Sequence, residues 1–155
     1  MHSAVNVVIA LAVLALILSR QLRRRTVRES QPYRITLILA VIGLVEVAQF
    51  RGQHDVTAAA WGLLAASLVV GAGFGALRGR TVHVWREDGT LYRQGNVATL
   101  VLWIVGLALH FSVDLLIAQV DADAKGLGSV AVLLYLAVTL GVQQLVVLER
   151  AEHLA

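Results

Sequence analysis

Three ionisable side chains stand inside long apolar stretches of this sequence: Glu46, His110 and Asp114. Burying such a group in hydrocarbon costs about 2.5–3.5 kcal/mol on insertion scales, so it is kept where it faces other helices or a water-filled cavity. His110 and Asp114 are four residues apart, which places them one turn apart on one helix face. Trp103 and Gly106 continue that face, Gly43, Glu46 and Gln49 form a similar stripe, and Tyr135, Thr139 and Gln143 form a third. Asn6 adds a polar group near the start of the first apolar stretch.

Groups of these types suit three chemistries. Acid–base catalysis of the isomerase or epimerase kind, needing no cofactor, uses titratable groups whose pKa values are set apart by burial and neighbours. Proton or small-solute transport uses carboxylate and histidine relays. Metal ligation is the least favoured, because catalytic zinc sites take three protein ligands. Here only His2 and His54 extend the His110–Asp114 pair, so no metal or cofactor is expected. The competing reading is a structural network, since hydrogen bonds between membrane helices average roughly 0.6 kcal/mol and serve to hold them together. The chain has no cysteine, which excludes disulfides, thiolate metal sites and thiol relays.

The elements that position these groups follow from composition and charge. Of 155 residues, 58% are hydrophobic and 15% charged, too few charges to cover a soluble domain of this size. The apolar residues come in blocks, as a bilayer selects. The blocks predict an all-α membrane protein, a five-helix transmembrane bundle forming a single domain over 1–155, with helices at about 4–19, 33–50, 56–77, 97–119 and 127–148. Four helices with one re-entrant or surface segment is the alternative count. Pro32 precedes the second helix, where a missing N–H is tolerated. The first block carries its basic residues after it rather than before it, the reverse of a secretory signal, and is read as a retained helix.

Lysine and arginine placement sets orientation. With the N-terminus outside, one inner loop holds Arg20, Arg23, Arg24, Arg25, Arg28 and Arg34, the other holds Arg78, Arg80, Arg86 and Arg93, and Arg150 lies at the inner C-terminus. That puts eleven of thirteen basic residues inside, leaving Arg51 and Lys125 outside. The net charge of +3 is therefore spent at membrane boundaries, and no nucleic-acid partner is expected. In this topology Glu46, Gln49, His110, Asp114 and Tyr135 all fall in the outer half, with Asn6 at a similar level, which predicts one outward-facing polar pocket.

Between the third and fourth helices lies a predicted cytoplasmic β-hairpin at about 81–93. Asp88-Gly89 between β-prone runs signals a two-residue turn. That register opposes Trp85 and Tyr92, an aromatic pair suited to stabilising the ribbon and to the headgroup region. Gly71 and Gly75 form a small-xxx-small strip for close helix approach, within the bundle or in a homodimer. No strand precedes these glycines, so a nucleotide-binding loop is rejected. Arg78 and Arg80 are read, with Trp85 and Tyr92, as anchors at the lipid interface.

The layout resembles the CcdC-like family of small bacterial membrane proteins. The likeness rests on the arginine-rich first inner loop and on the stretch Gly79-Arg80-Thr81-Val82-His83-Val84-Trp85-Arg86-Glu87-Asp88-Gly89-Thr90-Leu91-Tyr92-Arg93, which leads straight into an apolar helix. The resemblance implies a multi-pass protein of the bacterial cytoplasmic membrane, in a family whose name is linked to cytochrome c biogenesis. It brings no catalytic motif, so no functional residue is carried over from it. The expected role is accessory, binding a ligand, a second copy or a membrane partner, with the acid–base enzyme and the transporter subunit as alternatives.

Overall fold

The computed structural model describes residues 2–27 and 32–154, apart from the side chains of residues 2–7, 10 and 32. It is mostly helical: α1 (His2–Leu22), α2 (Pro32–Gln53), α3 (Ala58–Thr81), α4 (Val97–Val120), α5 (Leu127–Val130) and α6 (Val132–Glu152), with a 3₁₀ turn at Ala122–Ala124. Three strands, β1 (Arg25–Thr26), β2 (His83–Glu87) and β3 (Thr90–Gln94), form one small sheet. Four helices are long and apolar enough to cross a membrane: Tyr33–Gln53, Ala58–Thr81, Val97–Val120 and Val132–Glu152. In α1 the apolar run of described side chains, Leu11–Leu22, is shorter. The flanks of the bundle expose Leu37, Val41 and Leu44 of α2, Val69 of α3, and Ile104 and Leu115 of α4. Soluble proteins rarely leave so much contiguous apolar surface bare.

The helices start where their caps allow. Thr57 caps α3, its hydroxyl accepting from the Ala60 N–H. Asn96 and Thr99 close a capping box on α4, each side chain accepting from the other's backbone N–H. Asp121 joins these two helices at the end away from the sheet. Its carboxylate accepts from the backbone N–H of Thr57 at 2.8 Å and from those of Asp123 and Ala124 at 3.1 and 3.3 Å. The last turn of α3 is held differently, by Arg150 of α6, whose Nη1 donates to the carbonyls of Gly79, Arg80 and Val82 at 2.7, 3.0 and 2.7 Å. Those are the orphan acceptors every helix C-terminus leaves, and a cation is well placed there.

Small residues decide how the helices meet. A Cβ on Gly71 would overlap the Tyr135 ring, one on Gly75 the Thr139 carbonyl, and one on Gly79 the Val146 side chain and the Gln143 carbonyl. The contacts advance by four residues along each helix, so α3 and α6 run parallel with backbones in close approach. The glycine strip is thus spent inside the bundle. Gly43 plays the same part for α2, where a Cβ would meet the Leu134 backbone. Ile17 brings α1 into the cluster formed by Leu39, Trp103, Tyr135 and Leu136.

Two elements differ from the expectation. The segment expected as one helix at about 127–148 is broken into α5 and α6. The backbone ladder runs Val130 N–H to Gly126 O and Ala131 N–H to Leu127 O, then resumes with Tyr135 N–H to Ala131 O. At the gap His110 Nε2 takes the Gly128 carbonyl at 3.0 Å; a side chain inserted into the ladder is a recognised cause of a helix break. The expected hairpin is present, with Asp88 and Gly89 at φ 49° and 79° and Trp85 paired to Tyr92, their rings stacked at 5.7 Å. It carries a third strand, because Arg25 and Thr26 pair with Arg93 and Tyr92. The inward face of this sheet buries Val82, Val84 and Val27 against Val147 and Ala151 of α6. On the other face, Arg24 lies 4.0 Å from the Tyr92 ring centroid and pairs with Glu87.

Two stability predictions follow from these contacts. Gly75→Val should destabilise by about 1–3 kcal/mol, as overpacking does, whereas Gly73→Ala, whose new Cβ meets nothing within 4 Å, should melt in detergent no lower than the parent. Equal melting temperatures for the two variants would rule out the glycine contact as a determinant. The second concerns Asp121, whose carboxyl is held below the usual carboxylate range, chiefly by the Thr57 N–H. Its folded pKa lies below the unfolded value of about 3.9, so its stabilisation is full above that value and is lost as pH falls through the folded one. Asp121→Asn should therefore melt below the parent at neutral pH and converge with it as pH falls through the folded pKa, as followed by thermal unfolding against pH.

Candidate functional site

The polar residues inside the bundle form a chain of contacts along the α3–α4–α6 seam. His110 is 2% exposed. Its Nδ1 lies 2.8 Å from Ser67 Oγ and its Nε2 3.0 Å from the Gly128 carbonyl. A carbonyl only accepts, so Nε2 carries the proton, and in the neutral ring Nδ1 accepts from the Ser67 hydroxyl. The imidazole also stacks on Tyr135 at 4.3 Å. One turn on, Asp114 accepts from the Gly128 N–H at 2.8 Å and the Ser129 hydroxyl at 2.7 Å. Those donors belong to the first turn of α5, where a carboxylate offsets unpaired N–H groups.

Nearer the sheet, Arg78 is 1% exposed, between α3, α4 and α6, rather than at the surface where an interface anchor would lie. Its guanidinium donates to the Phe74 carbonyl and to the Thr139 hydroxyl, and stacks 3.6 Å from the centroid of the Trp103 ring. The described residues supply it no carboxylate. The α3 turn that brings Gly75 and Gly79 against α6 also turns Arg78 inward. Arginine suits this place, since its planar guanidinium stacks on aromatic rings and is less strongly hydrated than an ammonium.

At the sheet end lies a cavity of about 510 Å³, lined among others by Arg20, Arg23, Arg25, Arg34, Arg93 and Gln144. Alternation along β3 explains part of this convergence: Tyr92 takes the outer face with Trp85, so Arg93 takes the inner one. Arg25 stands directly opposite Arg93 in the β1–β3 ladder and so shares its face. Burial, and then the charge of Arg25, lower the pKa of Arg93 from the usual guanidinium value. Arg93 Nη1 donates to Gln144 Oε1 at 2.5 Å. That bond fixes the amide orientation, because a flipped amide would set donor against donor. Gln144 is nine-tenths buried and its Nε2 finds no acceptor. Gln21 of α1 and Gln143 of α6 exchange amide hydrogen bonds at 3.4 and 3.1 Å on the same wall. Guanidinium groups gathered on one cavity wall make the local potential positive.

The residues singled out by type and spacing are therefore distributed between two places. His110, Tyr135, Trp103 and Thr139 come together in the seam, with Asp114 of α4 one turn away at the start of α5, while Gln143 turns to the arginine chamber. Glu46 is half-buried and Gln49 exposed on α2, and no hydrogen bond among the described residues reaches Glu46. The Asn6 and His2 side chains lie outside the described ones, and His54 stacks on Phe50 at 4.2 Å. Arg80 is exposed, and Trp85 and Tyr92 are half-buried on the sheet. Sequence reasoning missed the chamber because Arg20, Arg23, Arg25, Arg34 and Arg93 served only as markers of orientation. The signal was present in the strand alternation that sets Arg93 opposite to Tyr92.

The seam yields one prediction. A double-mutant cycle between Arg78→Met and Trp103→Leu, read by thermal unfolding in detergent, should give a coupling of about 0.5–2 kcal/mol. A coupling indistinguishable from zero would leave the stacking without energetic weight.

Comparison with known proteins gives a family. No curated protein and no solved structure matches the chain. A family model described as CcdC protein matches residues 3–155. That match spans the arginine-rich loop, the sheet and every long helix described above, and the chain belongs to the CcdC protein family.

Proposed function

We propose that this CcdC family member is a five-span protein of the bacterial cytoplasmic membrane, N-terminus outside and C-terminus in the cytoplasm, whose role is to bind a ligand without transforming it. The four long apolar helices and the exposed apolar flanks support insertion. The 21 residues of α1 are of the length a fifth crossing needs. The gathering of arginines at one end supports the orientation, since cytoplasmic loops carry the excess of Lys and Arg.

The observation that carries the binding role is the arginine-lined chamber, which this topology puts at the cytoplasmic end. A cavity of about 510 Å³ is of the size small-molecule sites use. The acid–base alternative on Glu46, His110 and Asp114 draws less support. Hydrogen bonds occupy both His110 nitrogens and both Asp114 oxygens, and Glu46 joins neither. His110 and Asp114 serve as a network that breaks and seats the last helix. The outward-facing polar pocket is proposed in that structural capacity.

The absence of cysteine makes the topology testable by single-cysteine labelling. Asp123→Cys should react with an impermeant maleimide in intact cells, and His153→Cys only after the membrane is opened. The reverse pattern would overturn the orientation. Native mass spectrometry of the intact chain, purified in mild detergent, should show a retained small molecule. A chain recovered bare, which also binds no added anion, would remove the binding role.

A further inference from the structure

Among the described residues, Arg20, Arg23, Arg25, Arg34 and Arg93 line the arginine chamber, and no carboxylate does. Two of them, Arg25 and Arg93, are directly opposed across the β1–β3 ladder, an arrangement that destabilises a strand pair when nothing lies between the charges. Gln144, nine-tenths buried on the same wall, accepts from Arg93 and adds no charge to the chamber. Charge and register both ask for one thing, a group with several negatively charged oxygens.

We propose that the chamber is a phosphate site, which takes a phosphate monoester or diphosphate between Arg25 and Arg93. This rests on the ligand-binding reading above and names the class of ligand. A lone carboxylate brings one charge and two oxygens; a phosphate monoester brings about 1.5–2 charges and three acceptor oxygens. It can therefore accept from both guanidinium forks together, and planar forks match phosphate geometry in pairs. The same chamber has apolar walls in Ile17, Ile35 and Leu140, which suit a hydrocarbon chain attached to the phosphate. The shared chemistry is the phosphate group, and it reaches the chamber either on a lipid headgroup or free in solution.

Because the two arginines repel each other when the chamber is empty, Arg25→Gln should raise the melting temperature of the ligand-free protein while weakening phosphate binding. Loss of one charge-assisted contact should weaken binding about tenfold, and Arg25→Gln with Arg93→Gln should abolish it. The intact protein in dodecyl maltoside is titrated with inorganic pyrophosphate, and in nanodiscs with phosphatidic acid in a phosphatidylcholine background, with oleate as the carboxylate control. Saturable binding of either phosphate probe, weakened in Arg25→Gln, supports the site. Pyrophosphate binding marks a soluble source, and phosphatidic acid binding without it marks a lipid. Binding of oleate alone overturns the phosphate assignment and leaves the chamber a binding site. No saturable binding of any of the three anions overturns both readings. Phosphate affinities unchanged in the double variant, with its fold intact by melting, would place the ligand elsewhere.

Discussion

The approach of α3 to α6 is the constraint on which the rest of the structure depends. Gly71, Gly75 and Gly79 give α3 a face without side chains, and Tyr135, Thr139 and Gln143 of α6 lie along it. In an apolar surrounding, burying leucine against leucine gains little over leaving it in lipid, so association rests on close packing and hydrogen bonds. Glycine supplies the first. Once the backbones are this close, Arg78 on the adjoining face has nowhere to go but between α4 and α6, where Trp103 and Thr139 receive it. The same register carries Arg150 onto the open carbonyls at the end of α3.

The polar residues of the seam make sense against that packing. His110 does two jobs with two nitrogens, tying α4 to Ser67 of α3 and drawing off the Gly128 carbonyl so that the last helix breaks. Asp114 then satisfies the start of the short helix that results. A polar group buried without a partner costs about 1–3 kcal/mol, and this arrangement leaves few. Among the described residues the exceptions are Trp103 Nε1 and Gln144 Nε2. The first is hidden in the cluster around Tyr135. The second lies within the wall of the arginine chamber, its amide oxygen accepting from Arg93.

The sheet is small, yet it turns a boundary signal into a site. Its outer face is aromatic and carries Arg24 over Tyr92. Its inner face packs valines on the end of α6 and turns Arg93 and Arg25 towards the bundle. A two-stranded ribbon alone is marginal in water. Here the third strand and the helix end beneath it supply the missing support, and Arg23 and Arg25, just after α1, form part of one wall of the chamber.

Much of this was legible without coordinates. Apolar block lengths marked the long helices because a span needs about 20 residues, and Asp88-Gly89 marked the turn because few other pairs adopt positive φ twice. The four-residue spacing of Gly71 and Gly75, and of Tyr135, Thr139 and Gln143, marked two faces that the structure places against each other. Three things were decided only by tertiary structure. Arg25 and Thr26 become a strand because β3 lies beside them, and two residues in an arginine run carry no strand signal of their own. The last helix breaks because His110 arrives from another helix to take a carbonyl. The arginines converge because four separate segments end at one level of the bundle. Periodicity tells which residues share a face of one element. Which element that face meets depends on the fit of backbones and on hydrogen bonds distant in sequence, and a single sequence does not write these down.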